Sequence, residues 1–116
     1  ELVVVGAEEP VIDVIGKMTK ARAGAVVIAD TEGKLAGIFT QGDFARSFQS
    51  GNPEIGHQAV GELMTHDPIH VASDRLVGEV LRMLEDSRID DLVVVDAESR
   101  PVGMIDTQDL TKVRVM

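Results

Sequence analysis

The segment Gly37-Ile38-Phe39-Thr40-Gln41-Gly42-Asp43 carries the side chains best placed to do chemistry in this chain. It reads as the junction between a strand and a helix. A hydroxyl at the start of a helix either caps a free backbone N–H or shares the helix end with a bound anion. Gly42 permits close backbone approach. Asp43 stands one helical turn beyond Thr40, so its carboxylate is able to accept from the two hydroxyls of a ribose. Arg46, a further turn along the same face, is placed to meet a phosphate or a carboxylate. A hydroxyl for phosphate, a carboxylate for sugar and an apolar strand for a base make a nucleotide site. The same spacing also serves a purely structural purpose, with Thr40 as the cap and Asp43 as a favourable charge at the helix N-terminus. The residues alone leave both readings open.

Other chemistry finds little support. His66 and His70 are four apart, but Pro68 lies between them and breaks any helix they would share. No carboxylate cluster completes a metal site around them or His57, and none is expected. There is no cysteine, which excludes disulfides, thiolate metal sites and a cysteine nucleophile. No Ser-His-Asp order and no Gly-x-Ser-x-Gly turn is present. Eleven basic residues against twenty acidic ones give a formal charge of −9, with no basic stripe for a phosphate backbone. Three Phe, no Tyr and no Trp argue against stacking on single-stranded bases. A nucleic-acid role is not expected. No apolar run approaches the ~20 residues of a membrane helix, and no signal segment opens the chain. A cytoplasmic protein without a membrane role is expected. Hydrophobic residues make up 44% of the chain, mostly Val, Ile, Leu, Ala and Met, enough to rule out disorder and to suit packed α/β layers.

The chain also repeats itself. Gly37–Asp43 and Gly103–Asp109 read alike and stand 66 positions apart. Held without gaps, that offset pairs Val5 with Val71, Val14 with Val80, Arg22 with Arg88 and Val27 with Val93. It also pairs Asp30 with Asp96 and Glu32 with Glu98, and apolar positions match around them. Such self-similarity marks two copies of one structural unit.

Each copy reads as β-α-β-β-α. Strands are predicted over Leu2–Val5, Ala25–Ala29 and Leu35–Phe39, and again over Ile69–Ala72, Leu92–Val95 and Val102–Ile105. Helices are predicted over Pro10–Ala21 and Leu76–Ser87, the second capped by Ser73, with closing helices from near Gln41 and Thr107. The expected division is a first repeat over 1–50, a linker over 51–58 and a second repeat over 59–116. One sheet face per copy is left apolar, so the fold expected is an α/β (α+β) sandwich, packed sheet to sheet about a pseudo-two-fold axis. Two related clefts follow from that symmetry. Asp106 replaces the hydroxyl of Thr40 in the second copy and puts negative charge where a phosphate would sit. The cleft around Thr40 is therefore expected to be the competent one.

The repeated unit resembles a cystathionine-β-synthase (CBS) domain, and the whole chain a tandem CBS pair. Gly37-Thr40-Asp43 meets the family pattern in full, and Gly103-Asp106-Asp109 meets it except at the hydroxyl. Leu63-Met64-Thr65-His66-Asp67-Pro68-Ile69-His70-Val71 resembles the family's start of a repeat. Its first-repeat equivalent is missing, so the first repeat is expected to be truncated before Glu1 and the chain to be a piece of a longer one. The stretch Gly37–Arg46 further resembles arabinose-5-phosphate isomerases, from which Gln41 and Ala45 depart.

That resemblance implies a regulatory module without chemistry of its own, behind an upstream sugar-isomerase domain. It implies a ligand site of Ala25, Ile38, Thr40, Asp43, Arg46, Met64, Thr65, Ile69 and Asp90. A weaker mirror cleft would use Val3, Asp106 and Asp109. The implied ligand is a nucleotide or nucleotide-sugar, with no cofactor required: an adenosine nucleotide, or the CMP-linked octulosonate of lipopolysaccharide biosynthesis. It further implies a homodimer through the helices. Two alternatives stay open: a dimerisation module that binds nothing, and a CBS pair from another host such as a nucleotide-biosynthetic enzyme or a transporter.

Overall fold

The computed structural model describes residues 2–74, 79, 82 and 91–106. Of the predicted helix over Leu76–Ser87 only Glu79 and Arg82 are described, both helical; the helix from Thr107, Asp90 and Asp109 lie outside the described residues.

The first helix, α1 (Val11–Ala21), buries Val11, Val14 and Met18, one stripe of a 3.6-residue period. Its start lacks a side-chain cap, and the Val11 amide donates instead to the Gln58 carbonyl at 2.9 Å. It ends where Arg22 turns left-handed at φ 55° and closes on the Met18 and Thr19 carbonyls. Around it run β1 (Val4–Gly6), β2 (Ala25–Ala29) and β3 (Leu35–Thr40), followed by α2 (Gln41–Gln49). The segment expected to be a linker is ordered. It holds one single 3-10 turn, Ile55–His57, and buries Ile55; a second such turn, Val60–Glu62, follows it and buries Val60. Four strands complete the described chain: β4 (Thr65–His66), β5 (His70–Ala72), β6 (Asp91–Val95) and β7 (Pro101–Asp106).

Two sheets result, ordered β1-β2-β3-β4 and β5-β6-β7. In each, the first pairing is parallel and the next antiparallel. Strand alternation sends Val26, Ile28 and Phe39 to one face of the first sheet, where they pack with Val11, Val14 and Met18 of α1. Ala25, Val27 and Ile38 point the other way and pack with Val93 and Val95 of the second sheet. The sheets therefore meet face to face, as the sequence predicts. Burying each of these Val and Ile side chains contributes about 1.5–3 kcal/mol.

The 66-residue offset survives in detail. β1, β2 and β3 map onto β5, β6 and β7 residue for residue, and the bulge at Ile28/Ala29 recurs at Val94/Val95. Asp30 Oδ1 accepts from the amides of Glu32 and Lys34, and Asp96 Oδ1 from those of Glu98 and Arg100. One further strand, β4, joins the repeats. This strand leads into the second repeat but pairs with β3 of the first, Gly37 opposite His66 and Ile38 opposite Thr65.

Gly37 makes that pairing possible. A Cβ there would lie 2.5 Å from Met64 Sδ and 2.8 Å from the Thr65 carbonyl oxygen. A Cβ on Gly103, its counterpart, would meet only Val94 at an ordinary 3.9 Å. Gly37→Ala is thus expected to lower stability by about 1–3 kcal/mol in urea unfolding. Gly103→Ala is expected to be neutral or slightly stabilising, by up to ~0.5–1 kcal/mol. Equal losses at the two positions would show that β4 does not press on β3.

Candidate ligand-binding site

β3 ends and α2 begins at Thr40, whose extended backbone (φ −116°, ψ 168°) is that of a helix N-cap. Its Oγ1 accepts from the Asp43 amide at 3.1 Å. Asp43 Oδ2 accepts in return from the Thr40 amide at 2.9 Å and the Thr40 hydroxyl at 3.1 Å. This is a capping box with aspartate in the place usually held by glutamate. The structural purpose read from the sequence is fully realised.

Asp43 does more than cap. Its other oxygen, Oδ1, accepts from Arg46 Nη2 and, at 3.1 Å, from the Thr65 hydroxyl. Thr65 arrives from β4, 22 positions further along the chain. Asp43 is the buried polar or charged side chain of the described core, 6% exposed, whereas the Arg46 side chain is 71% exposed. Burying a carboxylate is costly unless its oxygens are satisfied. Here they are, by one amide, two hydroxyls and a guanidinium.

The residues expected at the site fall into three groups. Thr40, Asp43, Arg46 and Thr65 share one hydrogen-bonded cluster. Ala25 and Ile38 adjoin it: Ala25 is opposite Thr40, Ile38 is opposite Thr65, and both are buried in the sheet-to-sheet core. Met64 packs instead with the α1-side core, against Gly37, on the opposite face of the sheet from Ile38. Ile69, 41% exposed, stands just before β5, and its carbonyl faces the Val93 amide at 3.4 Å. In the mirror position, the Val3 carbonyl accepts from the Val27 amide at 2.9 Å, and Asp106 pairs with Asp91 at the end of β7.

A groove of about 450 Å3, which the residue pattern does not foretell, runs beside the first turn of α2, bounded by Met18, Arg22, Gly24, Gln41 and Phe44. Its floor depends on the left-handed stop of α1 at Arg22, which no residue type there announces. Among the described residues, no group of three or more His, Asp or Glu is arranged to hold a metal, and no helix is long and apolar enough to cross a membrane.

The family model of the CBS domain matches this chain twice, over residues 1–50 and 60–115. The chain belongs to the CBS domain family. It is homologous to the C-terminal region of arabinose 5-phosphate isomerases. Identity to the KdsD enzyme of Pseudomonas aeruginosa is 40% over 100 residues, covering 86% of this chain and 30% of that protein. The chain spans 28–30% of the length of that isomerase and of KpsF from Escherichia coli. The CBS domain pair of protein MJ0100, solved with 5′-methylthioadenosine and S-adenosyl-L-methionine, superposes with a TM-score of 0.83 at 23% identity, covering 97% of this chain and 91% of that one. The cytosolic domain of the Mg2+ channel MgtE, solved with ATP, gives 0.79 at 26% identity, covering 97% and 44%. This CBS pair therefore has the two-sheet fold of its relatives, with the Thr40–Asp43 turn at the joint between repeats.

Removing the Thr40 hydroxyl tests how much the turn depends on it. Thr40→Val is expected to cost about 1–2 kcal/mol, read as a fall in thermal midpoint, whereas Thr40→Ser stays near wild type. Identical midpoints for the two variants would mean the capping box carries no stability.

Proposed function

We propose that this CBS pair is the regulatory part of a sugar-phosphate isomerase and binds a nucleotide or nucleotide-sugar at the Thr40–Asp43 turn. The observation that carries the reading is the hydrogen-bonded cluster of Thr40, Asp43 and Thr65, which gathers polar groups of both repeats at one helix start. Likeness to arabinose 5-phosphate isomerases supports the host. The complex of the MgtE cytosolic domain with ATP supports the ligand class.

In this reading, residues 1–50 and 59–116 are the two repeats and 51–58 joins them. The chain itself performs no reaction; the isomerase chemistry lies in an upstream domain of a cytoplasmic protein. Asp43 takes the ribose, Thr40 and Arg46 the phosphate side, and Ala25, Ile38, Met64, Thr65, Ile69 and Asp90 line the remainder. An adenosine nucleotide and CMP-linked octulosonate are the two ligand candidates. The mirror cleft of Val3, Asp106 and Asp109 is weaker, because Asp106 repels a phosphate.

Calorimetry against AMP, ADP, ATP, CMP and CMP-octulosonate is expected to give heat with at least one of them. Silence from all five at millimolar concentration would refute the regulatory site and leave a structural module. Asp43→Ala is expected to weaken binding by about 1–3 kcal/mol, with circular dichroism confirming that the variant is folded. Asp109→Ala should change it far less, and equal losses would remove the asymmetry between clefts.

Assembly belongs to the same reading. Ile12 on α1 is 60% exposed and Phe48 on α2 is 64% exposed, and such side chains on helix surfaces suit an isologous contact between two copies. A homodimer through these helices is expected. Repulsion between two chains of charge −9 is screened over about 8 Å at physiological salt. The dimer fraction in sedimentation equilibrium should therefore rise with ionic strength. A monomer at every salt concentration would assign assembly to other parts of the protein.

A further inference from the structure

Asp43 has every acceptor direction in use. Oδ2 takes the amide and hydroxyl of Thr40, and Oδ1 takes Arg46 and Thr65. A carboxylate offers about four such directions, so two ligand hydroxyls find none open. The two ends of the carboxylate differ in kind. The bonds at Oδ2 belong to the capping box and last as long as α2 keeps its first turn. Those at Oδ1 are held from outside the turn. Arg46 reaches in with a side chain 71% exposed, so the arginine end of this pair is open to water and salt screening although Asp43 itself is 6% exposed. Thr65 reaches in from a strand of two residues that is paired only with β3 among the described elements.

We propose that Oδ1 is an exchange point, closed by Arg46 and Thr65 in the empty protein and taken over by the vicinal hydroxyls of a nucleoside. Binding then expels the guanidinium and unhooks β4 from the start of α2. This rests on the reading of the turn as a nucleoside site. Its consequence is coupling between the repeats. β4 is fastened by two residue pairs, Gly37 with His66 and Ile38 with Thr65, and by the Thr65 hydroxyl. Directly beyond it, Asp67 turns left-handed at φ 49° and the chain passes into β5, the first strand of the other sheet. Loss of the hydroxyl's bond loosens the strand that crosses from one sheet to the other. Occupancy of the first repeat is thereby registered where the second begins. The displaced Arg46 becomes available to a phosphate, so its removal affects phosphorylated and unphosphorylated ligands in opposite senses.

Adenosine, which has the diol and no phosphate, isolates the competition. Arg46→Gln is expected to bind adenosine about threefold tighter than wild type, the range of one exposed ion pair, and to bind AMP no tighter than wild type does. Hydrogen exchange over residues 65–66 should quicken about threefold when adenosine binds the wild type. If wild type binds adenosine and Arg46→Gln binds it equally or more weakly, the exchange point is wrong and the nucleoside site stands. Unchanged or slower exchange over 65–66 on binding overturns the coupling. If wild type shows no binding, the double variant Arg46→Gln, Thr65→Val decides: binding by that variant alone supports the latch. Silence from both overturns the latch together with the nucleoside reading.

Discussion

The carboxylate of Asp43 is the joint on which the first repeat turns. It is 6% exposed and is satisfied from three elements: the end of β3, the exposed face of α2 and the short strand β4. A buried carboxylate held this way is costly to leave unsatisfied, so a partner that departs has to be replaced by another donor. The direction of α2, the seat of β4 and the approach of Met64 over Gly37 are consequences of satisfying one side chain. Asp43 is thus a polar joint in a described core that is otherwise apolar.

The two repeats share a backbone and diverge where polar detail matters. At the tip of the hairpin, Gly33 adopts φ 85°, and its counterpart Ser99 is forced to φ 66°. For a residue with a Cβ that region costs about 1–2 kcal/mol, so the second turn is the strained copy. The Leu35 amide donates to the Ser99 carbonyl at 2.8 Å, tying one hairpin to the other. The symmetric bond cannot form, since the residue equivalent to Leu35 is Pro101, which has no N–H. Asp106 in place of Thr40 belongs to the same pattern. Among the described residues, the two copies thus share their strands and differ in polar detail.

Much of this was legible in the residues. The strand Ala25–Ala29 and the start of α2 stand where the apolar periods and the turn residues put them, the other five predicted strands shift by one or two residues, and β4 is not among the strands predicted. The repeat was legible because it depends only on side-chain type at fixed spacing. Pairings remote in sequence were not. Nothing in Met64-Thr65 says that Thr65 reaches Asp43 while Met64 turns to the α1 side, because alternation along a strand fixes opposite faces without saying which is which. The role of 51–58 was hidden for a similar reason. Its Gly, Asn and Pro are turn formers, yet the Gln58 carbonyl caps α1 and Ile55 is buried, both set by the partner and not by the segment.

Under the proposed regulatory reading, a ligand acts only through contacts that differ between the empty and occupied states. The aliphatic core offers few, since packed cores do not deform continuously. The cluster at Asp43 is different: its partners include an exposed arginine on the surface and a hydroxyl on the strand that leads into the other repeat. In the proposed latch, these are the bonds a ligand trades, and β4 is where the trade is felt. The turn is thus where a helix cap, a buried carboxylate and the strand leading into the other repeat meet.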